Sequence, residues 1–325
     1  MNNKVRKTSV GGQALIEGVM MQGPRGIAIS VRKPDGEIDT QYKDVKRMKD
    51  KSKFWALPII RGVVNFFESM VIGYQCITHS AEIAFPDDGE SNEEDMSKFE
   101  KFISDKLGDK MMGIIAGIGT FLGLALAFVL FFYFPVWVFS QFNNLANGAL
   151  TPWQGTIEGV LKILIFVIYL LIVSRMKDID RTFQYHGAEH KTIFCYENSL
   201  ELTVENVRKQ SRFHPRCGTS FIFVMLIFSI VFTTILSKIF PDIAANRVLW
   251  VILKLLFLPL IVGIGYEFIR YAGKHDNIFV KILSAPGLWM QRITTKEPTE
   301  DGMLEVAIAS LKAVITDNPE DDEIK

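Results

Sequence analysis

The chain has 325 residues, a formal net charge of zero and 22% charged residues, so its bulk composition is that of a soluble protein of about two domains. A balanced charge without a basic stripe gives no reason to expect a nucleic-acid partner, and three cysteines, an odd number, argue against a disulfide framework. The distribution is uneven, however. Residues 112–139 contain no charged residue, and this stretch exceeds the roughly 20 apolar residues that a membrane-spanning helix needs.

Residues 1–57 are predicted to form a small β-containing cytoplasmic unit. Residues 27–31 are rich in β-branched side chains, 33–36 supply turn residues, and 37–42 return as a second strand. The preceding stretch, 11–24, is rich in glycine and lacks the Lys-Ser/Thr ending of a phosphate-binding loop. We interpret its glycines as permitting tight turns against neighbouring backbone. The start of the chain is polar and basic without a following apolar region, so we expect no cleaved signal peptide.

Residues 58–85 are predicted to form an amphipathic interfacial helix. Apolar residues recur at spacings of three and four, which is typical of a helix. Arg61 and Glu68 interrupt them, so we expect the helix to lie at the membrane surface and not to cross the bilayer. Residues 86–110 are predicted to form an acidic linker, disordered by composition, and a short helix.

Residues 111–273 are predicted to form a four-helix membrane domain. The expected spans are about 112–139, 157–174, 219–236 and 248–265. Two of them contain lysines. Glu158 lies one turn before Lys162, so we expect an i,i+4 pair that extends toward the outer surface. Lys254 lies inside the fourth span, where it either reaches the surface or marks a functional position.

The orientation follows from lysine and arginine in the connections. The 140–156 connection has none, whereas the 175–220 connection has eight. The positive-inside rule therefore places the N-terminus, the 175–218 loop and the C-terminus in the cytoplasm. The fold class is then an α-helical multi-pass protein of the cell membrane with about four transmembrane helices, the N-terminal β unit and interfacial helices.

Residues 274–325 are predicted to form a cytoplasmic C-terminal segment. It contains a break at residues 285–287, an amphipathic helix from Glu305 to Ile315, and an acidic tail from residue 317. We expect the N-terminal unit, the 175–220 connection and this segment to pack together.

Three of the five histidines and two of the three cysteines fall within about thirty residues. His186 and His190 are four residues apart, so on a helix they share one face. With Glu189 they form the string H-x-x-E-H, the inverted zinc-protease signature, in which the glutamate is the general base. Cys217 or His214, just before the third span, would supply a third ligand, and zinc is the metal that this donor set predicts.

Other interpretations of the same residues stay open. The histidines could make only structural hydrogen bonds at the headgroup boundary, with Cys217 a small buried residue. A structural zinc would use the same side chains with four protein ligands. Alternatively, Cys217 at a helix start beside Arg216 would favour a thiolate, which His214 or His190 could activate as a nucleophile.

Four segments resemble the YqhQ-like family: residues 11–21 (GGQALIEGVMM), 186–191 (HGAEHK), 214–219 (HPRCGT) and 285–295 (APGLWMQRITT). This is a family of bacterial multi-pass membrane proteins, also found in plastids, classed as a domain of unknown function and labelled a predicted metal-dependent enzyme. The resemblance covers nearly the whole chain. It implies a multi-pass bacterial membrane protein and supplies no substrate.

The favoured hypothesis is a metal-dependent membrane enzyme, with a hydrolase as the reaction class. His186, His190 and Cys217 or His214 would hold zinc, and Glu189 would be the general base. The rival is a non-catalytic membrane scaffold or assembly factor with a structural metal or a polar cluster. A transporter component is the third and least favoured hypothesis, because the spans contain few of the charged residues that a transport pathway would need. The expected partners are the lipid bilayer and either a second copy of the chain or another membrane protein.

Overall fold

The computed structural model of the chain describes residues 6–44, 52–86, 111–275 and 277–324. These residues are mostly helical, with one four-stranded sheet near the N-terminus. The acidic linker and short helix predicted at 86–110 lie, apart from Pro86, outside the described residues.

The sheet is an antiparallel meander in the order β1-β2-β3-β4. Its strands are β1 Gly11–Leu15, β2 Gly18–Gly23, β3 Gly26–Arg32 and β4 Ile38–Lys43. β3 and β4 confirm the two predicted strands. The glycine-rich stretch before them forms a hairpin of two further strands, where the sequence predicted only turns. Because Val19, Met20 and Met21 of β2 are all buried, their apolar run lacks the alternation that identifies a half-exposed strand.

The described part of the chain contains eleven α-helices. They are α1 Ile60–Ala84, α2 Met111–Phe128, α3 Phe134–Leu145, α4 Gln154–Val173, α5 Lys177–Glu197, α6 Val204–Arg208, α7 Gly218–Ile239, α8 Pro241–Ala245, α9 Arg247–Lys274, α10 Ile278–Thr294 and α11 Asp301–Val314. A π-helical turn at Val129–Tyr133 joins α2 to α3, and 3-10 turns at Thr151–Trp153 and Pro319–Asp322 precede α4 and follow α11.

Four helical segments are long and apolar enough to cross a membrane: Gly117–Leu145, Thr151–Val173, Gly218–Ile239 and Arg247–Lys274. They match the four predicted spans in number and order. α1 is not among them. It is fastened to α9 by an ion pair between Arg61 and Glu267, so one of the charges that interrupts its apolar pattern has a structural role.

The polar groups within these helices pair differently from the prediction. The predicted pair of Glu158 and Lys162 is wrong, because Glu158 forms an ion pair with Lys254 across the interface of α4 and α9. Its carboxylate also accepts hydrogen bonds from Trp250 Nε1 at 2.9 Å and Gln154 Nε2 at 3.0 Å. Lys162 instead lies over the Phe132 ring, with Nζ 5.4 Å from the ring centre. A buried carboxylate needs several donors, and the helix interface supplies them.

The sheet carries a helical layer on each face. Val19 and Met21 pack with α5 and α11 in one core, whereas Met20 and Ile27 face α1 around Cys76. The N-terminal strands, the connection before α7 and the C-terminal helix therefore pack together, as the sequence predicted. The location of this unit relative to a membrane, and the domain boundaries, stay predictions.

The C-terminal part differs from the prediction in one respect. The break predicted at residues 285–287 is wrong, because α10 continues through Pro286. A proline removes only one hydrogen bond from a helix that packing otherwise holds.

The acidic end of the chain is partly packed against the rest of the protein. Asp322 is buried and accepts hydrogen bonds from the Tyr196 hydroxyl and from Thr316 Oγ1, the latter at 2.9 Å.

Candidate metal centre

Three of the predicted ligands converge where α5 meets the start of α7. His186 and His190 lie on one face of α5, with ring centres 4.5 Å apart. Cys217 is the residue that caps the N-terminus of α7, and its Sγ lies 3.2 Å from His186 Nε2. One ligand atom from each of the three residues lies within 4.8 Å of the other two, so the three side chains could hold one metal ion.

Backbone carbonyls fix the proton on each imidazole. His186 Nδ1 lies 2.8 Å from the Thr294 carbonyl oxygen, and His190 Nδ1 lies 2.6 Å from that of Arg212. Because a carbonyl oxygen can only accept, each Nδ1 carries a proton, so Nε2 is the nitrogen that offers a lone pair when the imidazole is neutral. Histidines that bind metals are typically oriented in this way, with the second nitrogen donating to a carbonyl or carboxylate.

Gly187 allows this arrangement, because it brings the backbone after α10 directly against α5. A Cβ at residue 187 would overlap the carbonyl oxygen of Lys296, and the Lys296 N–H donates to the Phe183 carbonyl at 2.8 Å. Only glycine permits so close an approach of two backbones. The same contact places the Thr294 carbonyl within reach of His186.

The pKa values of two of the ligands are shifted in the direction that favours metal binding. Burial tends to raise the pKa of the Cys217 thiol, but His190 and the hydroxyl and N–H of Thr219 outweigh it, and the pKa falls below its usual value. Burial lowers the pKa of His190, with His186 acting in the same direction, so this imidazole is neutral at pH 7. A thiolate and a neutral imidazole are the forms that bind metals.

Glu189 is next to the three ligands and has an unused oxygen. The residue is only 4% exposed, and its Oε2 has no hydrogen-bond partner in the described part of the chain. Burial raises its pKa to about 8; Cys217 adds to this, whereas His186 and the Gly12 N–H oppose it. A Cβ at residue 12 would lie 2.9 Å from Glu189 Cδ, so Gly12 leaves the space that this carboxyl group occupies. A buried carboxyl with a raised pKa is typical of a general acid or base.

His214 lies outside the group of three. Its Nδ1 accepts the Arg216 N–H at 3.3 Å, and its Nε2 lies 3.5 Å from a Glu197 oxygen. Glu197 also pairs with Arg216 and accepts the Thr8 N–H at 2.8 Å. Burial tends to raise the pKa of Glu197, but His214, Arg216 and Thr8 lower it to about 2. His214 thus belongs to a charged network beside the three ligands, with its ring centre 5.5 Å from that of His190.

Sequence reasoning missed the residues that orient the ligands. Thr294 and Arg212 act through backbone carbonyls, so their side chains carry no signal. The one available clue is the pair of small residues between the histidines, Gly187 and Ala188, which indicates that another segment packs closely there.

Comparison with known proteins gives the family. Residues 57–317 match the family described as "Protein of unknown function (DUF1385)". This chain belongs to that family. It is also 34% identical over 314 residues to the uncharacterized protein YqhQ of Bacillus subtilis (strain 168), a match that covers 94% of this chain and 92% of YqhQ. No solved structure matches.

The family match confirms the resemblance predicted from the motifs. The range that matches DUF1385 includes His186, Glu189, His190 and Cys217. Neither the family nor YqhQ has a described activity, so the geometry of the site is the evidence for function.

Proposed function

We propose that this chain is a metal-dependent membrane enzyme, a hydrolase in reaction class. In this proposal His186, His190 and Cys217 hold a zinc ion and Glu189 is the general base. The observation that carries the proposal is the convergence of three ligand atoms within 4.8 Å, with both imidazoles held by carbonyls through Nδ1, so that Nε2 is the nitrogen available to a metal.

The donor set fits zinc in a catalytic form. Zinc prefers nitrogen and sulfur donors; its structural sites use four protein ligands, whereas its catalytic sites use three and leave one position open. Among the described residues the group contains three members, and His214, the predicted alternative, interacts with Glu197 instead. A zinc ion held there would supply a Lewis acid and acidify water.

Glu189 would move the proton. Its Oε2 has a free lone pair, so it can accept a proton from an attacking water molecule and return it to a leaving group. A pKa of about 8 suits both transfers, because a general base works best when its pKa lies near the working pH. The Gly12 N–H, which opposes the raised pKa, would hold the carboxylate in place.

The membrane placement is part of the same proposal. The four membrane-length helices would cross the cell membrane, with both termini and the metal centre in the cytoplasm. Cys217 directly precedes Gly218, the first residue of the third such helix, so the centre would lie at the membrane surface. The lysine- and arginine-rich connection that contains α5 and α6 supports the cytoplasmic side.

A Glu189→Gln variant tests the catalytic role. We expect the protein purified in detergent to contain stoichiometric zinc with either residue, because Glu189 is not a ligand in this proposal. The variant should nevertheless fail to restore function to cells that lack the wild-type gene. A variant that restores function fully would refute the role of Glu189 as the base.

A structural metal is the second candidate, and one observation favours it. The three donors belong to α5 and to the cap of α7, so a metal would fasten the sheet-containing unit to a membrane-length helix. In that case, chelation should lower the unfolding temperature strongly, and Glu189→Gln should keep full cellular function. The metal-free alternative is a Cys217 nucleophile, for which the sequence predicts His214 or His190 as the activating base. The histidine nitrogen at 3.2 Å from Sγ is instead Nε2 of His186, and this alternative predicts a purified protein without zinc.

A further inference from the structure

A pocket of about 200 Å³ lies where the last turns of α9 meet α10 and the segment before α7. Arg216 lines it two residues before α7 begins at Gly218, and Gly273 lines it one residue before α9 ends at Lys274. Both helices are long and apolar enough to cross a membrane. The pocket therefore lies at the level where these two proposed spans would leave the bilayer.

The walls of the pocket are largely apolar. α10 presents one face to it, on which Val280, Ser284 and Leu288 follow one another at intervals of four residues. Phe194 of α5 and Ile269 of α9 contribute to the other walls. An apolar cavity of about 150 Å³ can hold a benzene molecule, so this pocket has room for a short length of hydrocarbon.

Cationic side chains lie at the rim of the same pocket. Its described lining residues include three cations, Lys7, Arg216 and Lys281, and one carboxylate, Glu197. Both lysines are exposed, so a ligand can reach their ammonium groups. Glu197 already pairs with Arg216 and accepts the Thr8 N–H at 2.8 Å. The charge of the lining therefore favours an anionic ligand.

Hydrogen bonds hold Lys7 and Arg216 in place beside the pocket. The Lys7 carbonyl accepts the Ile324 N–H at 2.9 Å, and Arg216 Nη1 donates to the Thr8 carbonyl at 2.8 Å. These bonds tie the N-terminal segment both to the end of the chain and to the segment before α7. A site arranged in advance in this way lowers the ordering cost of binding.

An apolar pocket with a cationic rim at the end of a span matches a molecule that has an anionic head and an apolar tail. Basic pockets between membrane helices are known to bind anionic lipid headgroups, whereas a free phosphate would leave the apolar walls unused. We propose that this pocket binds an anionic phospholipid, with Lys7 and Lys281 beside the phosphate and the start of an acyl chain between Ile269 and Leu288. This rests on the membrane placement proposed above and does not depend on the metal.

The test counts the lipids that full-length protein retains on release from nanodiscs of equal parts phosphatidylglycerol and phosphatidylcholine, using native mass spectrometry. We expect the wild type to retain at least about fivefold more phosphatidylglycerol, since one lysine near a membrane surface contributes about that factor for an anionic lipid. Equimolar glycerol 3-phosphate should not displace it. Equal retention of the two lipids would refute the anionic headgroup, and displacement by glycerol 3-phosphate would refute the lipid source.

Lysine variants test the role of charge. Lys7→Gln and Lys281→Gln should each lower the preference for phosphatidylglycerol about fivefold. Lys274→Gln is the matched control, because Lys274 is exposed at the end of α9 but is not among the described lining residues, and it should keep the preference. An equal loss in Lys274→Gln would assign the preference to the general charge of the surface and overturn the proposal. An unchanged preference in both of the other variants would overturn it as well.

Variants of Gly273 test the pocket itself. A Cβ at residue 273 would meet nothing within 4 Å, so Gly273→Leu should fill the pocket without a clash while every charge is kept. This variant should abolish the preference for phosphatidylglycerol, whereas Gly273→Ala should keep it. Wild-type retention in Gly273→Leu would contradict binding inside the pocket.

Zinc content and solubility of the same protein separate this proposal from the proposed function. A protein that stays in solution without detergent or nanodiscs would refute the membrane placement and the lipid site with it. A protein that remains in the nanodisc and holds zinc but retains both lipids equally would refute the lipid site alone. A protein that retains phosphatidylglycerol but holds no zinc would refute the metal site and leave the lipid site standing.

Discussion

Gly187 is the position at which a single methyl group should disable the metal centre. A Cβ there would overlap the Lys296 carbonyl oxygen, and real Cβ contacts below 3.0 Å are essentially never seen. Relieving the overlap requires α5 and residues 294–296 to separate by about 1 Å, at a cost of about 1–3 kcal/mol. Because this segment carries the Thr294 carbonyl, Gly187→Ala moves the acceptor away from His186.

The loss of that acceptor sets the size of the effect. The bond from His186 Nδ1 to the Thr294 oxygen is 2.8 Å, and a lengthening of about 1 Å breaks it. The imidazole then loses its fixed tautomer and orientation. Removing such a partner typically weakens metal binding about 10- to 100-fold, so we expect zinc affinity to fall by that factor.

Competition for zinc between the purified protein and a chelator of known affinity measures this fall. Gly218→Ala is the matched control, because residue 218 adjoins Cys217 but a Cβ there meets nothing within 4 Å. This control should bind zinc as the wild type does. A folded Gly187→Ala protein with wild-type zinc affinity would refute the role assigned to the Thr294 carbonyl.

Three further predictions concern other groups. Glu189→Gln should keep its zinc and lose about 10²- to 10⁴-fold in turnover once a substrate is known; loss of zinc would instead make Glu189 a ligand. Lys254→Met should destabilise the protein by about 3–5 kcal/mol in thermal unfolding, because it leaves the Glu158 carboxylate buried without its cation. The double variant with Glu158→Gln should be less destabilised, and equal losses would argue against the pair. Glu197→Gln tests a lowered pKa, about 2 against the usual 4.5. A lowered pKa stabilises the fold above pH 4.5 and ceases to do so as the pH falls toward 2. The variant should therefore be less stable than the wild type by up to about 3 kcal/mol at pH 7, with the difference vanishing near pH 2; a constant difference would contradict this.

The candidate ligands could be predicted because their signals are local. The spacing of His186 and His190 follows from helix geometry, and Cys217 stands out because cysteine is rare in this chain. The choice between Cys217 and His214 could not be made from spacing, since both precede α7. It depends on the Glu197 network, which interacts with His214 from α5. The Thr294 carbonyl lies 108 residues from His186 in sequence, so no local pattern could reveal it.

Prediction of the fold from the sequence is limited in the same way. The membrane-length helices could be placed from runs of apolar residues, but not the contacts between them. The i,i+4 rule applies within one helix and predicts Lys162 as the partner of Glu158. The observed partner, Lys254, lies on a different helix. The β1–β2 hairpin was missed because β2 is covered on both faces, so its apolar residues do not alternate.

Elemental analysis of the protein purified without chelators tests the central claim most directly, with Cys217→Ser and His190→Ala measured in parallel. The three-ligand centre predicts stoichiometric zinc in the wild type and its loss in both variants, while their helical content is kept. A wild-type protein without bound metal, or variants that hold as much zinc as the wild type, would contradict it.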